Sequence, residues 1–215
     1  MPEQDAILNP LIGDYLGAMS GPVDPILEEM ARHGEERDFP YLGPLCARIL
    51  HMLVRTSGAR RIFELGSGYG YTMYWMAKAL PDDGVVIGTE FDQTNIDVAK
   101  EYFRRGGLAA KTDLRKGEAL EVFTRETDPF DLVFNDIDKE QYPRVIELAK
   151  PRLRRHGLLI SDNVLASARV VDQSINDPQT RAIREYNRRL ADDPDFVTTI
   201  IPIRDGLSVA VKITD

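Results

Sequence analysis

The stretch Arg61-Ile62-Phe63-Glu64-Leu65-Gly66-Ser67-Gly68-Tyr69-Gly70, running into Tyr71-Thr72-Met73-Tyr74-Trp75-Met76-Ala77-Lys78-Ala79-Leu80, decides how this chain is read. An apolar run of strand character enters a glycine turn, and a helical run leaves it. Glycines there let the backbone approach a ligand closely, and the helix start aims free N–H groups at it. The pattern is GxGxG with an acid, Glu64, just before it. A dinucleotide fingerprint would read GxGxxG, and its third glycine would fall where this chain has Tyr71. A second acid, Glu90, closes the next apolar run, Val85-Val86-Ile87-Gly88-Thr89, at a distance suited to ribose hydroxyls. The two features describe a nucleoside-cofactor site, and the spacing favours S-adenosylmethionine over NAD.

Outward from the turn, strand and helix alternate. Strands are expected at 61–65, 84–90, 112–116, 130–135 and 157–161, and helices at 70–80, 92–105, 118–126, 139–150 and about 178–191. The apolar runs Phe196–Ile203 and Leu207–Ile213 flank Arg204-Asp205-Gly206, a hairpin signal. The expected fold is therefore α/β, a doubly wound and mostly parallel seven-stranded sheet with an antiparallel C-terminal hairpin. Upstream, Asp24-Pro25 starts a short helix, and a second covers about Leu42 to Thr56 with Gly58 past its end. The first 20 residues, punctuated by Pro2, Pro10, Gly13 and Gly17, read as irregular. Residues 1–215 make one domain, with 1–57 as a helical cap or lid over a core at 58–215.

A net charge of −8 leaves no basic surplus to displace the counterions of a nucleic acid. Arg152, Arg154 and Arg155 are expected to form a solvated helix end rather than a phosphate patch. The single Cys46 rules out an intramolecular disulfide and reads as core filler in the run Leu45-Cys46-Ala47-Arg48-Ile49-Leu50. No apolar run reaches the 18 residues or so that a membrane span needs, and no signal peptide opens the chain, so a cytoplasmic location is expected.

Ligands of such sheets bind outside the carboxyl ends of the strands. Strand Phe130-Asp131-Leu132-Val133-Phe134 ends in Asn135-Asp136-Ile137-Asp138-Lys139, and strand Leu158-Leu159-Ile160-Ser161 ends in Asp162-Asn163. If these strands are neighbours, about 5 Å apart, Asp136, Asp162 and Asn163 present two carboxylates and an amide oxygen around one point. Hard oxygen donors of that kind suit Mg²⁺, or another divalent cation such as Mn²⁺ or Ca²⁺. Lys139, three residues after Asp136, can lean over the same point. Taken singly, each of these residues also reads as an N-cap, a turn former or a solvated side chain. Asp138 reads as an exposed cap, and Tyr74 and Trp75 as packing residues.

The segments ELGSGYGYT (64–72), KGEAL (116–120), FNDIDKEQY (134–142), SDNVL (161–165), REYNRRL (184–190) and PIRDGLSVAVK (202–212), with Glu90, carry a resemblance. From about Gly43 to Lys212 the chain resembles the catechol O-methyltransferase-like family, most of all its small bacterial and caffeoyl-CoA-type members. The resemblance implies a Rossmann-like methyltransferase fold and methyl transfer from S-adenosylmethionine to a phenolic hydroxyl, assisted by a divalent cation. It implies Asp136, Asp162 and Asn163 as metal ligands and Lys139 as general base, with Asp136 also catalytic and against the cofactor. Glu64, Gly66, Gly68, Tyr71 and Thr72 would line the methionine and ribose, Glu90 and Phe91 the ribose, and Glu118-Ala119 the adenine. Leu42-Gly43 would close over the cofactor. A homodimer is implied as well. The segment Val164-Leu165-Ala166-Ser167-Ala168-Arg169 departs from the family's acceptor-shaping pattern, and Thr199 stands near the place of an acid that in animal catechol enzymes engages the substrate.

Chemistry supports the same reading. A cation holding two adjacent hydroxyls lowers the pKa of one, and holding donor and acceptor in line supplies the other large contribution. Three alternatives remain at this stage. An NAD-dependent oxidoreductase explains the glycine turn and Glu90 but leaves the Asp136–Asp162 constellation without purpose. A non-catalytic cofactor-binding protein would keep the acids as caps, and a metal-independent methyltransferase would act on another nucleophile.

Overall fold

In the computed structural model, residues 10–21 and 23–215 are described. Three helices come first: α1 (Pro10–Met19), α2 (Pro25–Glu36) and α3 (Pro44–Ser57). The core then alternates β1 (Arg61–Leu65), α4 (Tyr71–Ala79), β2 (Val85–Glu90), α5 (Gln93–Arg105), β3 (Thr112–Lys116), α6 (Ala119–Thr124), β4 (Phe130–Asn135), α7 (Tyr142–Ala149), β5 (Leu153–Ser161) and α8 (Pro178–Asp192). The hairpin of β6 (Phe196–Ile201) and β7 (Leu207–Lys212) closes the chain.

The seven strands lie in the order β3-β2-β1-β4-β5-β7-β6. All pairs are parallel except those made by β7, which runs antiparallel to β5 and β6. Consecutive strand residues face opposite sides, so both faces must be apolar. Ile62, Val86, Leu132 and Leu158 pack on the side of α2, α3, α4 and α5, whereas Phe63, Ile87, Val133 and Leu159 pack on the side of α6, α7 and α8. The sheet order reverses between β1 and β4, and the register aligns Leu65 with Asn135 and Asn135 with Ser161. The three residues that follow, Gly66, Asp136 and Asp162, form a row across the crevice where such folds bind ligands.

Several element boundaries differ from expectation. Residues 10–19 form a helix despite Gly13 and Gly17, because Leu11, Tyr15 and Met19 recur at helical spacing and Pro10 occupies the tolerated first position; Pro2 lies outside the described residues. Strand β5 begins at Leu153, four residues early: Leu153 pairs with Phe130, the polar run Arg154-Arg155-His156 bulges out of register with His156 at φ 66°, and pairing resumes between Leu158 and Leu132. Arg154 and Arg155 are therefore strand residues rather than a helix end, and Arg154 donates to Asp131. The helix expected over 139–150 divides into a 3₁₀ turn at Lys139–Gln141 and α7, since Pro143 starts a fresh helix. The Asp24-Pro25 start holds, with Ile26 N donating to Asp24 Oδ1 at 2.8 Å, and Cys46 is buried in the core. No helix among the described residues is long and apolar enough to cross a membrane.

Candidate active site

The glycine turn is fixed from two sides. Ser67 N donates to Thr89 O (2.8 Å), Thr89 N donates to Ser67 Oγ (3.1 Å), and Gly66 N reaches Thr89 Oγ1 (3.2 Å), which ties the end of β1 to the end of β2. Gly66 has φ 82°, and a Cβ there would stand 2.7 Å from the carbonyl oxygen of Asp136. Only glycine allows that approach of β1 to β4. Gly68 also has positive φ and packs under the Phe39 ring. Tyr71 and Thr72 begin α4 and are buried. Tyr69 and Tyr71 are covered by Phe39 and Tyr41, with ring centroids 5.3 and 4.9 Å apart. These contacts seat the segment that leads to the buried Leu42 and to Gly43, the N-cap of α3, beside the turn. Tyr74 and Trp75 are core residues, as expected.

The acids around the turn are prepared for a ligand. Glu90 is buried, and its Oε1 accepts from Phe91 N (2.9 Å) and Asp92 N (2.8 Å), leaving Oε2 for a partner. Phe91 beside it is exposed. Gly117 N donates to Glu90 O at 3.0 Å, which brings Glu118 and Ala119 alongside; Glu118 caps α6 through Glu121 N. Glu64 is fully enclosed, its Oε2 has no hydrogen-bond partner, and burial pushes its carboxyl well above the usual range. A cradle that a Cβ would fill, a half-committed carboxylate and an orphaned carboxylate oxygen fit a nucleoside that ends in an amino acid.

At the ends of β4 and β5 the ladder extends by one bond each: Asp136 N to Leu65 O (3.0 Å) and Asp162 N to Asn135 O (3.2 Å). Asp162 is buried, and both its burial and the Asp136 carboxylate raise its pKa. Two carboxylates in a partly dry corner call for a cation. Asn163 stands in the left-handed region at φ 56°, which turns it back toward the same corner, and its side chain hydrogen-bonds Asp205. Among the described residues no group of three or more His, Cys, Asp or Glu side chains converges on a metal position. The set here is two carboxylates and an amide, oxygen donors that fit Mg²⁺ better than a transition metal.

Lys139 Nζ donates to Asp136 Oδ1 (2.8 Å) and to Tyr142 Oη (2.9 Å), and the Tyr142 hydroxyl donates to Asp162 O (3.0 Å). The sequence patterns alone assign no role to Tyr142 or Asp205. Tyr142, one helical turn past Lys139, was the readable signal of the two. Asp205 is buried and accepts from Ser167 N, which holds the 163–169 turn onto the final hairpin. Asp138 is exposed at a cap position but makes no side-chain cap bond. A cavity of about 110 Å³ opens beside Lys139, Asn163, Asp205 and Ile183. That approaches the roughly 150 Å³ that holds a benzene ring. The larger 510 Å³ groove between α7 and α8 is open, charge-lined and away from the strand ends, so we give it no part in the chemistry.

Residues 19–213 match a protein-family model described as O-methyltransferase. A catechol O-methyltransferase of Niastella koreensis is 29% identical over 212 residues, covering 93% of this chain and 96% of that one. The crystal structure of an O-methyltransferase from Bacillus cereus in complex with SAH aligns at TM-score 0.85 and 29% identity, covering 94% of this chain and 97% of that one. The O-methyltransferase TomG from Streptomyces achromogenes, involved in tomaymycin synthesis and solved with SAM, aligns at TM-score 0.87 and 28% identity over all of both chains. With the model matching nearly its whole length, the chain belongs to the O-methyltransferase family.

Proposed function

We propose that this S-adenosylmethionine-dependent O-methyltransferase methylates one hydroxyl of a small vicinal dihydroxy-aromatic acceptor held by a divalent cation at Asp136, Asp162 and Asn163. The observation that carries the reading is the row Gly66, Asp136, Asp162 at the switch point, with Lys139 over it and a small cavity beside Lys139. When bound, the cofactor supplies a methyl group on a sulfonium and the cation lowers the pKa of a hydroxyl it holds. Glu90 Oε2 would receive the ribose hydroxyls, Glu64 the cofactor's amino group, and the turn's N–H groups its polar edge. In its neutral form Lys139 would take the acceptor proton at Nζ, held over the corner by Asp136 and Tyr142. Held in line behind that methyl group, the acceptor oxygen would be placed by this chain's own residues for the transfer. Asp205 positions Asn163, and the Phe39–Tyr41 segment excludes water. Family membership sets aside the nicotinamide alternative.

Methyl transfer from labelled S-adenosylmethionine to vicinal dihydroxy-aromatics, run with Mg²⁺ and with excess EDTA, tests the proposal. EDTA is expected to abolish turnover and Mg²⁺ to restore it. Turnover indifferent to EDTA would return Asp136, Asp162 and Asn163 to structural roles and leave a metal-independent methyltransferase. We also infer a homodimer in the cytoplasm. Its support is the exposed row Leu11, Tyr15 and Met19 on α1, and a monomer mass by light scattering would remove it.

A further inference from the structure

Arg204 occupies the turn between β6 and β7, immediately before Asp205, with φ 49°. Its guanidinium folds over the start of α3, where a Cβ on Gly43 would stand 2.8 Å from Arg204 Cζ. Gly43, itself at φ 73°, is the space into which the guanidinium fits. From there Arg204 interacts electrostatically with Tyr41, Tyr71 and Asp162. One cation thus faces the covering segment, the first residue after the glycine turn and the acidic corner. On the methyltransferase reading, cofactor and acceptor would meet beside those three.

The other cations of this region are engaged. Lys139 is paired with Asp136, and Arg169 with Asp177 and the carbonyl of Ala166. Arg204 is half-buried, and among the described residues its guanidinium has no hydrogen-bond or ion-pair partner. Withholding a guanidinium from water without a partner costs stability, and so does a side chain on a left-handed residue. Its planar fork of donors matches a carboxylate in two parallel hydrogen bonds.

We propose that Arg204 anchors a carboxylate at the mouth of the methyl-transfer site. The proposal rests on the methyltransferase reading of that site and adds the charge its ligand must carry. Two ligands can bring that group: the amino-acid end of the cofactor, or a carboxylate borne on the acceptor ring.

Arg204→Gly removes the guanidinium and suits φ 49°, so the variant is expected to fold at least as well as the native chain. Arg204→Lys keeps the charge without the fork. Calorimetry would compare S-adenosylhomocysteine with 5′-methylthioadenosine, which lacks the amino-acid end. Turnover with Mg²⁺ would compare 3,4-dihydroxybenzoate with catechol, which lacks the carboxylate. In Arg204→Gly the carboxylate-bearing member of one pair is expected to lose roughly 10- to 100-fold while its uncharged counterpart holds, with Arg204→Lys recovering part. Loss in the first pair assigns the cofactor's carboxylate, and loss in the second assigns the acceptor's. Ratios unchanged within about twofold in both pairs, or equal losses within each pair, overturn the anchor. A native enzyme that binds no S-adenosylhomocysteine and methylates neither phenol overturns the methyltransferase reading itself, which the Arg204 variants alone cannot do.

Discussion

Replacing Glu90 with Gln separates the two jobs of its carboxylate. Oε1 holds the chain turn through Phe91 N and Asp92 N at 2.9 and 2.8 Å. A Gln carbonyl oxygen keeps both bonds, so the ligand-free variant should melt within about 2 °C of the native protein. The second oxygen becomes an NH₂ donor and cannot accept from a ribose diol. Hydrogen bonds to a charged acceptor contribute about 1.5–3 kcal/mol each. Taking about 3 kcal/mol for the pair, S-adenosylhomocysteine should bind about 100-fold more weakly. At ligand equal to 100 times the native Kd, binding stabilises the native protein by about 2.7 kcal/mol. For a chain of this size that is a shift of roughly 5–10 °C. The variant at the same concentration gains about 0.4 kcal/mol, a shift of only about 1 °C. Thermal unfolding with and without ligand reads all of these quantities. A variant that keeps the full ligand shift would refute the diol assignment. One that melts far lower without ligand would make Glu90 a structural brace instead. Glu90→Ala provides the contrast, since losing both N–H acceptors should cost the ligand-free protein about 1–3 kcal/mol.

Asp136→Ala is expected to lose EDTA-sensitive turnover while S-adenosylhomocysteine affinity, read by calorimetry, stays within about threefold. Gly66→Ala forces a Cβ to 2.7 Å from Asp136 O at φ 82° and should cost at least about 2 kcal/mol of stability in denaturant melts; an unchanged midpoint would mean that β1 and β4 part easily. Glu64 holds its proton in the native state well above the unfolded value of 4.5, so its contribution makes stability fall as pH rises from 4.5 to the native pKa. Glu64→Gln should flatten that decline in ligand-free melts while weakening S-adenosylhomocysteine, and an unaltered pH slope would show that Glu64 is not the group responsible.

Legibility from sequence tracked the range of the forces involved. The glycine turn and the strand-helix alternation are local patterns, and β1, α4, β2 and β4 stand where the periodicity puts them. The alignment of Gly66, Asp136 and Asp162 needed one more step, the neighbour order of the strands, which the switch-point rule supplies for a doubly wound sheet. Helix α1 is hidden in the sequence because Gly13 and Gly17 read as breakers, although each costs a helix only about 1 kcal/mol. Boundaries at β5 and α7 slipped where a polar strand start and an internal proline overrode the apolar pattern.

Contacts between distant segments were legible least of all. Phe39 on Tyr69, Tyr41 on Tyr71 and Arg204 on Gly43 join residues far apart in sequence, and no periodicity records them. The same holds for the charge state of the site. Glu64 and Asp136 carry the same formal charge on paper, yet burial raises the pKa of one well above the carboxylate range while a lysine 2.8 Å away partners the other. What a carboxylate does in this fold is therefore set by its burial and its ion-pair partner, which the three-dimensional packing decides and the sequence pattern does not record.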